Sequence, residues 1–132
     1  MASTIEKYFG EAVKSEGETT FVDLIVIPVG QEEAVDAVFR VAVSTFTTGT
    51  SGSNGNGSMT IHAFAMRDDS PSTSKVDIDV ANADLLQDAV HGNQFQVVYS
   101  SDALRLQIHW GGPGGGDDWH FVAEATAIRR GQ

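Results

Sequence analysis

The sequence predicts an all-β chain: an antiparallel β-sandwich of jelly-roll type with a short N-terminal helical or extended arm. The first observation is alternation in the C-terminal run from Ala103 to Arg130. Leu104, Leu106, Ile108 and Trp110 alternate with Arg105, Gln107 and His109, and Trp119, Phe121, Ala123 and Ala125 alternate with His120, Val122 and Glu124. A period of two puts one set of side chains on a buried face and the other on a solvated one. The second is turn chemistry, because clusters of Gly, Ser, Asn and Asp separate a series of such segments with little helical periodicity between them. The third is size: 132 residues, 41% of them apolar, make one domain with a real core.

The elements follow in order. Ser3-Thr4-Ile5-Glu6 has the spacing of a capping box, and Tyr8, Phe9, Ala12 and Val13 follow it. A short helix over about Thr4 to Lys14 is expected, with Ile5, Tyr8 and Phe9 on a stripe that needs a partner surface. Ser15 to Thr19 is polar and Gly-interrupted, which suggests a hinge. The expected organisation is therefore a docking arm over 1–18 and a β-sandwich over 19–132.

Thr20 to Val29 is a nearly continuous apolar strand ending at Pro28. Phe21, Leu24, Ile25, Val26 and Ile27 offer apolar groups to both sides, more than one sandwich face can bury, so they are the expected oligomer interface. Ala34 to Phe46 reads as the next strand, with Phe39, Val41 and Val43 inward. A Gly/Ser/Asn/Thr tract over 47–58 reads as a loop. Strands are expected at Ser58 to Met66, Lys75 to Val80 and Gln94 to Tyr99, with a helical turn over Ala83 to Val90 capped by Asn82.

The two C-terminal arms flank Gly111 to Gly116, and such a break predicts one long hairpin with Trp110 paired to Trp119. That register sets Ile108 against Phe121, Leu106 against Ala123 and Leu104 against Ala125 inside. His109 then meets His120, and Arg105 meets Glu124, on the solvated face.

Charge and composition narrow the function. A net charge of −10 with scattered basic residues argues against nucleic acid as a partner. No apolar run approaches the roughly 20 residues of a spanning helix, so membrane insertion is not expected, and Met1 to Glu6 lacks a secretory leader pattern. The absence of cysteine excludes a thiolate nucleophile and a Cys-based zinc site.

His109 and His120 with Asp117 and Asp118 have metal-ligand chemistry, but a cross-strand His pair on a solvated face is the better account, and no metal is expected. Asp77-x-Asp79 with Asn82, Asp84 and Asp88 fails as an EF-hand loop, since it lacks the central Gly and the closing Glu. The Gly clusters lie between strands, where no phosphate cradle forms. No serine occupies a nucleophile elbow, so no catalytic residue and no cofactor are expected. Trp110 and Trp119 could stack on a sugar at the hairpin tip, with His109 and His120 beside them, although packing suits their alternation better.

The order of segments "TTFVDLIVIPVG", "AVFRVAVSTFTTGT", "FQVVYS", "ALRLQIHW" and "DWHFVAEATAI" resembles a β-domain common in bacteriophage tail fibres and related virion appendages. It spans roughly residues 19 to 129, with Trp119, Val122 and Ala123 in the positions of a "W-x-A" type closing strand. The resemblance implies a non-enzymatic virion structural protein: a head-decorating, fibre or appendage-tip module that forms a homotrimer and docks on other virion proteins. The alternative expectation is a small carbohydrate-binding module that meets a cell-surface glycan at the Trp-flanked tip.

Overall fold

The computed structural model describes residues 2–14, 20–45, 55–68, 74–85, 95–108 and 119–131. Eight strands run in order: β1 (Ala2–Lys14), β2 (Val22–Pro28), β3 (Glu33–Thr45), β4 (Gly55–Arg67), β5 (Ser74–Leu85), β6 (Phe95–Ser100), β7 (Ala103–Ile108) and β8 (Trp119–Gly131). They form a five-stranded sheet, β1-β8-β3-β4-β5, and a three-stranded sheet, β2-β7-β6. Every pairing is antiparallel, as the alternation requires.

Between the sheets lies one core. Phe39, Ile61, Phe121, Val35, Val41 and Val43 from the larger sheet meet Ile27, Leu104, Leu106, Ile108 and Phe95 from the smaller. Phe95 and Phe121 close the gap edge to face, with ring centroids 5.9 Å apart and planes at 81°. Strand β8, between β1 and β3, presents Ala123, Ala125 and Ala127 inward, all buried. These small side chains leave room for the large groups of the facing sheet, so the layers interdigitate.

Two bulges and one tight turn shape the small sheet and the edges. Leu24 is the extra residue where β2 shifts register against β7, and Ala81 is the extra residue of β5 against β4. Ser101 and Asp102 link β6 to β7 with φ of 49° and 59°. Positive φ at both central residues is what a two-residue hairpin loop needs to match strand twist. At the β2–β3 turn, Arg67 Nη1 donates to the Val29 carbonyl at 2.9 Å, and Val29 N donates to the Asp102 carbonyl at 2.8 Å.

Three expectations are corrected. The helix over Thr4 to Lys14 is a strand, because Thr4, Glu6, Tyr8, Gly10 and Ala12 alternate inward beside the free edge of β8, and thirteen residue pairs join the two strands. That long ladder outweighs a local capping-box signal. The helical turn from Ala83 is strand as far as Leu85, continuing β5 beside β4 past the bulge; residues 86–90 lie outside the described residues.

The long C-terminal hairpin is also absent, since β7 belongs to the small sheet and β8 lies between β1 and β3 in the large one. Leu106 pairs with Ile25 and Val97, and Phe121 pairs with Ala12 and Val43. Alternation specifies which face a side chain takes. It is satisfied equally by strands side by side and by strands stacked across a core. Arg105 therefore meets Asp23 at 2.7 Å, and Glu124 meets Arg40 at 3.2 Å.

Candidate docking surface

Among the described residues, the outer face of the five-stranded sheet carries the most unusual surface. On β1 the outward residues are Ser3, Ile5, Lys7, Phe9, Glu11 and Val13, and the register continues them across β8, β3 and β4. Ile5 (72% exposed), Phe9 (68%) and Val13 stand beside Val122 and Ile128 of β8 and Val38 of β3, all exposed. Six large apolar side chains thus share one face with charged neighbours between them. Single exposed apolar groups are ordinary, but a set gathered on one sheet face marks an interaction surface.

Near the middle of this face is an open groove of about 310 Å³. Its outward lining is Phe9, Arg40, Ala42, Ser58, Thr60, Val122 and Glu124, with backbone of the central strands as its floor. Arg40 Nη1 donates to Glu124 Oε1 at 3.2 Å, an exposed pair of neighbouring strands. His62 Nε2 and Asp36 Oδ1 lie 2.5 Å apart further along the face. An aromatic ring, two hydroxyls and an ion pair can contact a protein loop or a sugar. Among the described residues no three His, Asp or Glu side chains gather as metal ligands.

A second polar cluster sits at one end of the sandwich. Arg129 continues the inward face of β8 beyond Ala127, and its side chain is only 15% exposed. Its Nε and Nη2 donate to the two oxygens of Glu6 at 2.9 and 3.1 Å, while Nη1 donates to Glu33 Oε1 at 2.8 Å and to the Pro28 carbonyl at 2.7 Å. Tyr8 Oη donates to Glu6 Oε1 at 2.6 Å, and Gly30 N to Glu33 Oε1 at 2.6 Å.

The hydrogen bonds from Arg129, then that from Tyr8, hold the Glu6 carboxyl below its ordinary range. The Arg129 guanidinium is raised in turn, chiefly by the Glu6 hydrogen bond, and burial followed by the Glu6 hydrogen bond raises Tyr8. These bonds make the cluster a latch joining β1, β3, β8 and the end of β2. Asp23 is similarly lowered, by the hydrogen bond from Gln107 and then by that from Arg105.

The sequence-derived site residues fall in different places. Ile25 and Ile27, expected at an oligomer interface, are buried in the chain's own core, and Leu24 packs partly against it. The Leu24 bulge explains the unbroken apolar run, because the inserted residue changes the parity of the strand. Phe21 and Val26 remain exposed.

In the arm, Ile5 and Phe9 face outward, while Tyr8 turns inward to Glu6. His109 and Trp110 lie outside the described residues, Trp119 opens β8 opposite Lys14, and His120 is exposed opposite Val13. Sequence reasoning missed Val38, Val122 and Ile128. Their signal was present, since each is an apolar residue in the outward half of an alternating strand.

No protein-family model and no curated protein matches the chain. Among solved structures it is similar to the tailspike protein of Acinetobacter baumannii phage AM24 (TM-score 0.49, 8% identity), covering 96% of this chain and 26% of that one. It is also similar to the tailspike of Acinetobacter phage vB_ApiP_P1 (TM-score 0.47, 12% identity, 94% and 22% covered). A third is a tailspike of Acinetobacter baumannii bacteriophage Fri1, described as a capsular polysaccharide depolymerase (TM-score 0.33, 15% identity, 91% and 17% covered). The chain spans about a quarter or less of these proteins' length. At identities and TM-scores this low, function has to be read from the chain's own surfaces.

Proposed function

We propose that the chain is a non-enzymatic structural module of a phage-like particle that self-associates and docks on other virion proteins. The observation that carries this is the outer face of the five-stranded sheet, where Ile5, Phe9, Val13, Val38, Val122 and Ile128 stand exposed together. Burying such groups against a partner contributes roughly 25 cal/mol per Å² of apolar area removed from water. In this reading the arm acts through Ile5 and Phe9 as a strand of the docking face, with Phe21 and Val26 as a lesser contact on the small sheet. The sequence resemblance to tail-fibre and appendage domains supplies the particle, and the homotrimer it implies is one stoichiometry for the assembly.

The test is incorporation. Particles made from a genome carrying Val38→Glu and Val122→Glu should lack the protein, although the purified variant stays folded by circular dichroism. Normal incorporation of the folded variant sinks the proposal.

A second reading, glycan binding, is favoured by the groove, where the Phe9 ring stands beside Ser58, Thr60 and the Arg40–Glu124 pair. Glycan-array binding that Phe9→Ala abolishes would select it; an empty array would remove it.

A further inference from the structure

Strand β1 is the end strand of its sheet, and among the described residues it pairs with β8 alone. Thirteen residues of edge backbone are a template for another strand, and long edges are usually short-cut, bulged or charged to prevent that. This edge is none of the first two, and its charges are arranged in an informative way. Read outward along β1, the chain runs Ile5, Lys7, Phe9, Glu11, Val13. About Phe9 the pattern is symmetric in polarity and opposite in sign: apolar, positive, aromatic, negative, apolar. Reversal of the strand leaves the apolar positions in place and exchanges the charges.

We propose that two copies of the chain pair edge to edge through β1, antiparallel and centred on Phe9, extending each five-stranded sheet into one of ten strands. The proposal names the self-contact of the association argued above and rests on that reading. In this register Lys7 of each copy opposes Glu11 of the other, Ile5 opposes Val13, and the two Phe9 rings meet at the two-fold axis. Opposite charges and apolar or aromatic pairs directly across an antiparallel ladder are each favourable, and like charges there are unfavourable.

The inward side fits as well, since the same register sets Tyr8 against Gly10 of the other copy, a large side chain against none. Any other centre loses the match. Moving it by one residue sets charges against apolar groups, Lys7 against Phe9 and Ile5 against Glu11 for a centre at Tyr8, or Glu11 against Phe9 and Lys7 against Val13 for one at Gly10, and moving it to Lys7 or Glu11 sets like charges against themselves at the axis. A two-fold contact uses one patch twice and closes on itself, so the assembly contains an even number of chains.

Charge exchange tests the register directly. Lys7→Glu and Glu11→Lys should each weaken self-association by roughly tenfold or more, because each creates two like-charge pairs at the axis. The double variant Lys7→Glu/Glu11→Lys restores both pairs in reversed order and should return to within about threefold of the wild-type constant, read by sedimentation equilibrium on the full chain.

The chain contains no cysteine, so Phe9→Cys offers an independent readout: it should form an inter-chain disulfide on mild oxidation, whereas Val38→Cys, two strands in from the edge, should not. An oligomer indifferent to the charge exchanges, a double variant without rescue, cross-linking at Val38 in place of Phe9, or a three-chain particle overturns the pairing while leaving self-association standing. A 14.0 kDa monomer at every concentration overturns both.

Discussion

Leu106 has no exposed surface and lies at the centre of the small sheet, between Ile25 and Val97. Truncation to Ala removes buried methyl groups and leaves a cavity, so Leu106→Ala should cost about 2–5 kcal/mol. Arg40, in an exposed pair with Glu124, should lose only about 0.2–1 kcal/mol on change to Ala. Arg129→Met belongs between them or near the top, at about 2–4 kcal/mol, because it leaves the half-buried carboxylates of Glu6 and Glu33 without their cation. Urea unfolding should rank Arg40 well below the other two. Arg40→Ala as harmful as Leu106→Ala would mean that the faces are assigned the wrong way round. The inward setting of Leu106, Phe121 and Ala123 was readable from period-two alternation. The role of Arg129 was not, because its partners stand at positions 6, 28 and 33, and no local pattern connects them.

At the scale of the element, β1 tests how far the N-terminal segment belongs to the fold. Gly10 faces Leu24 so closely that a Cβ there would run into the Leu24 carbonyl oxygen. That approach exists because the bulge pushes Leu24 toward β1 and because residue 10 has no side chain to meet it. Deleting residues 1–14 would bare the edge of β8, remove Tyr8 and Ala12 from beside the core, and strip Arg129 of Glu6. We expect the truncated chain to melt at least about 10 °C below the full chain, or to aggregate through β8. A truncated chain with an unchanged melting temperature would show β1 to be a separable appendage; residues 15–19, read as a hinge from their composition, lie outside the described residues. The helical expectation arose because Ser3 to Glu6 fits a capping box within four residues, whereas the evidence for a strand lies 120 residues away in β8.

Across the whole molecule, Glu6 in the large sheet and Asp23 in the small one tie stability to pH. Each carboxyl titrates lower in the folded chain than in the unfolded one, so the unfolded chain takes up protons first as pH falls. The stabilisation is complete above the ordinary carboxylate range, about 4, and is lost as pH drops through the depressed folded values. Glu6→Gln/Asp23→Asn should be less stable than wild type at pH 7 and should lose less stability between pH 7 and 3, measured by urea midpoints. A double variant with the wild-type slope would show that other carboxylates govern acid unfolding.

Alternation, turn chemistry and composition determined by themselves that the chain is all-β, antiparallel and two-layered, and they gave the facing of most of its core residues. They did so because a period of two is written locally, residue by residue. Only the tertiary structure decided which strands lie side by side: β7 and β8 read as partners in a hairpin and instead stack across the core. It also decided that Ile25 and Ile27 serve the core while Val38, Val122 and Ile128 gather with Ile5, Phe9 and Val13 on one open face. Neighbours in a sheet are chosen by contacts between residues far apart in the chain, and a face can satisfy the same alternation with many different neighbours.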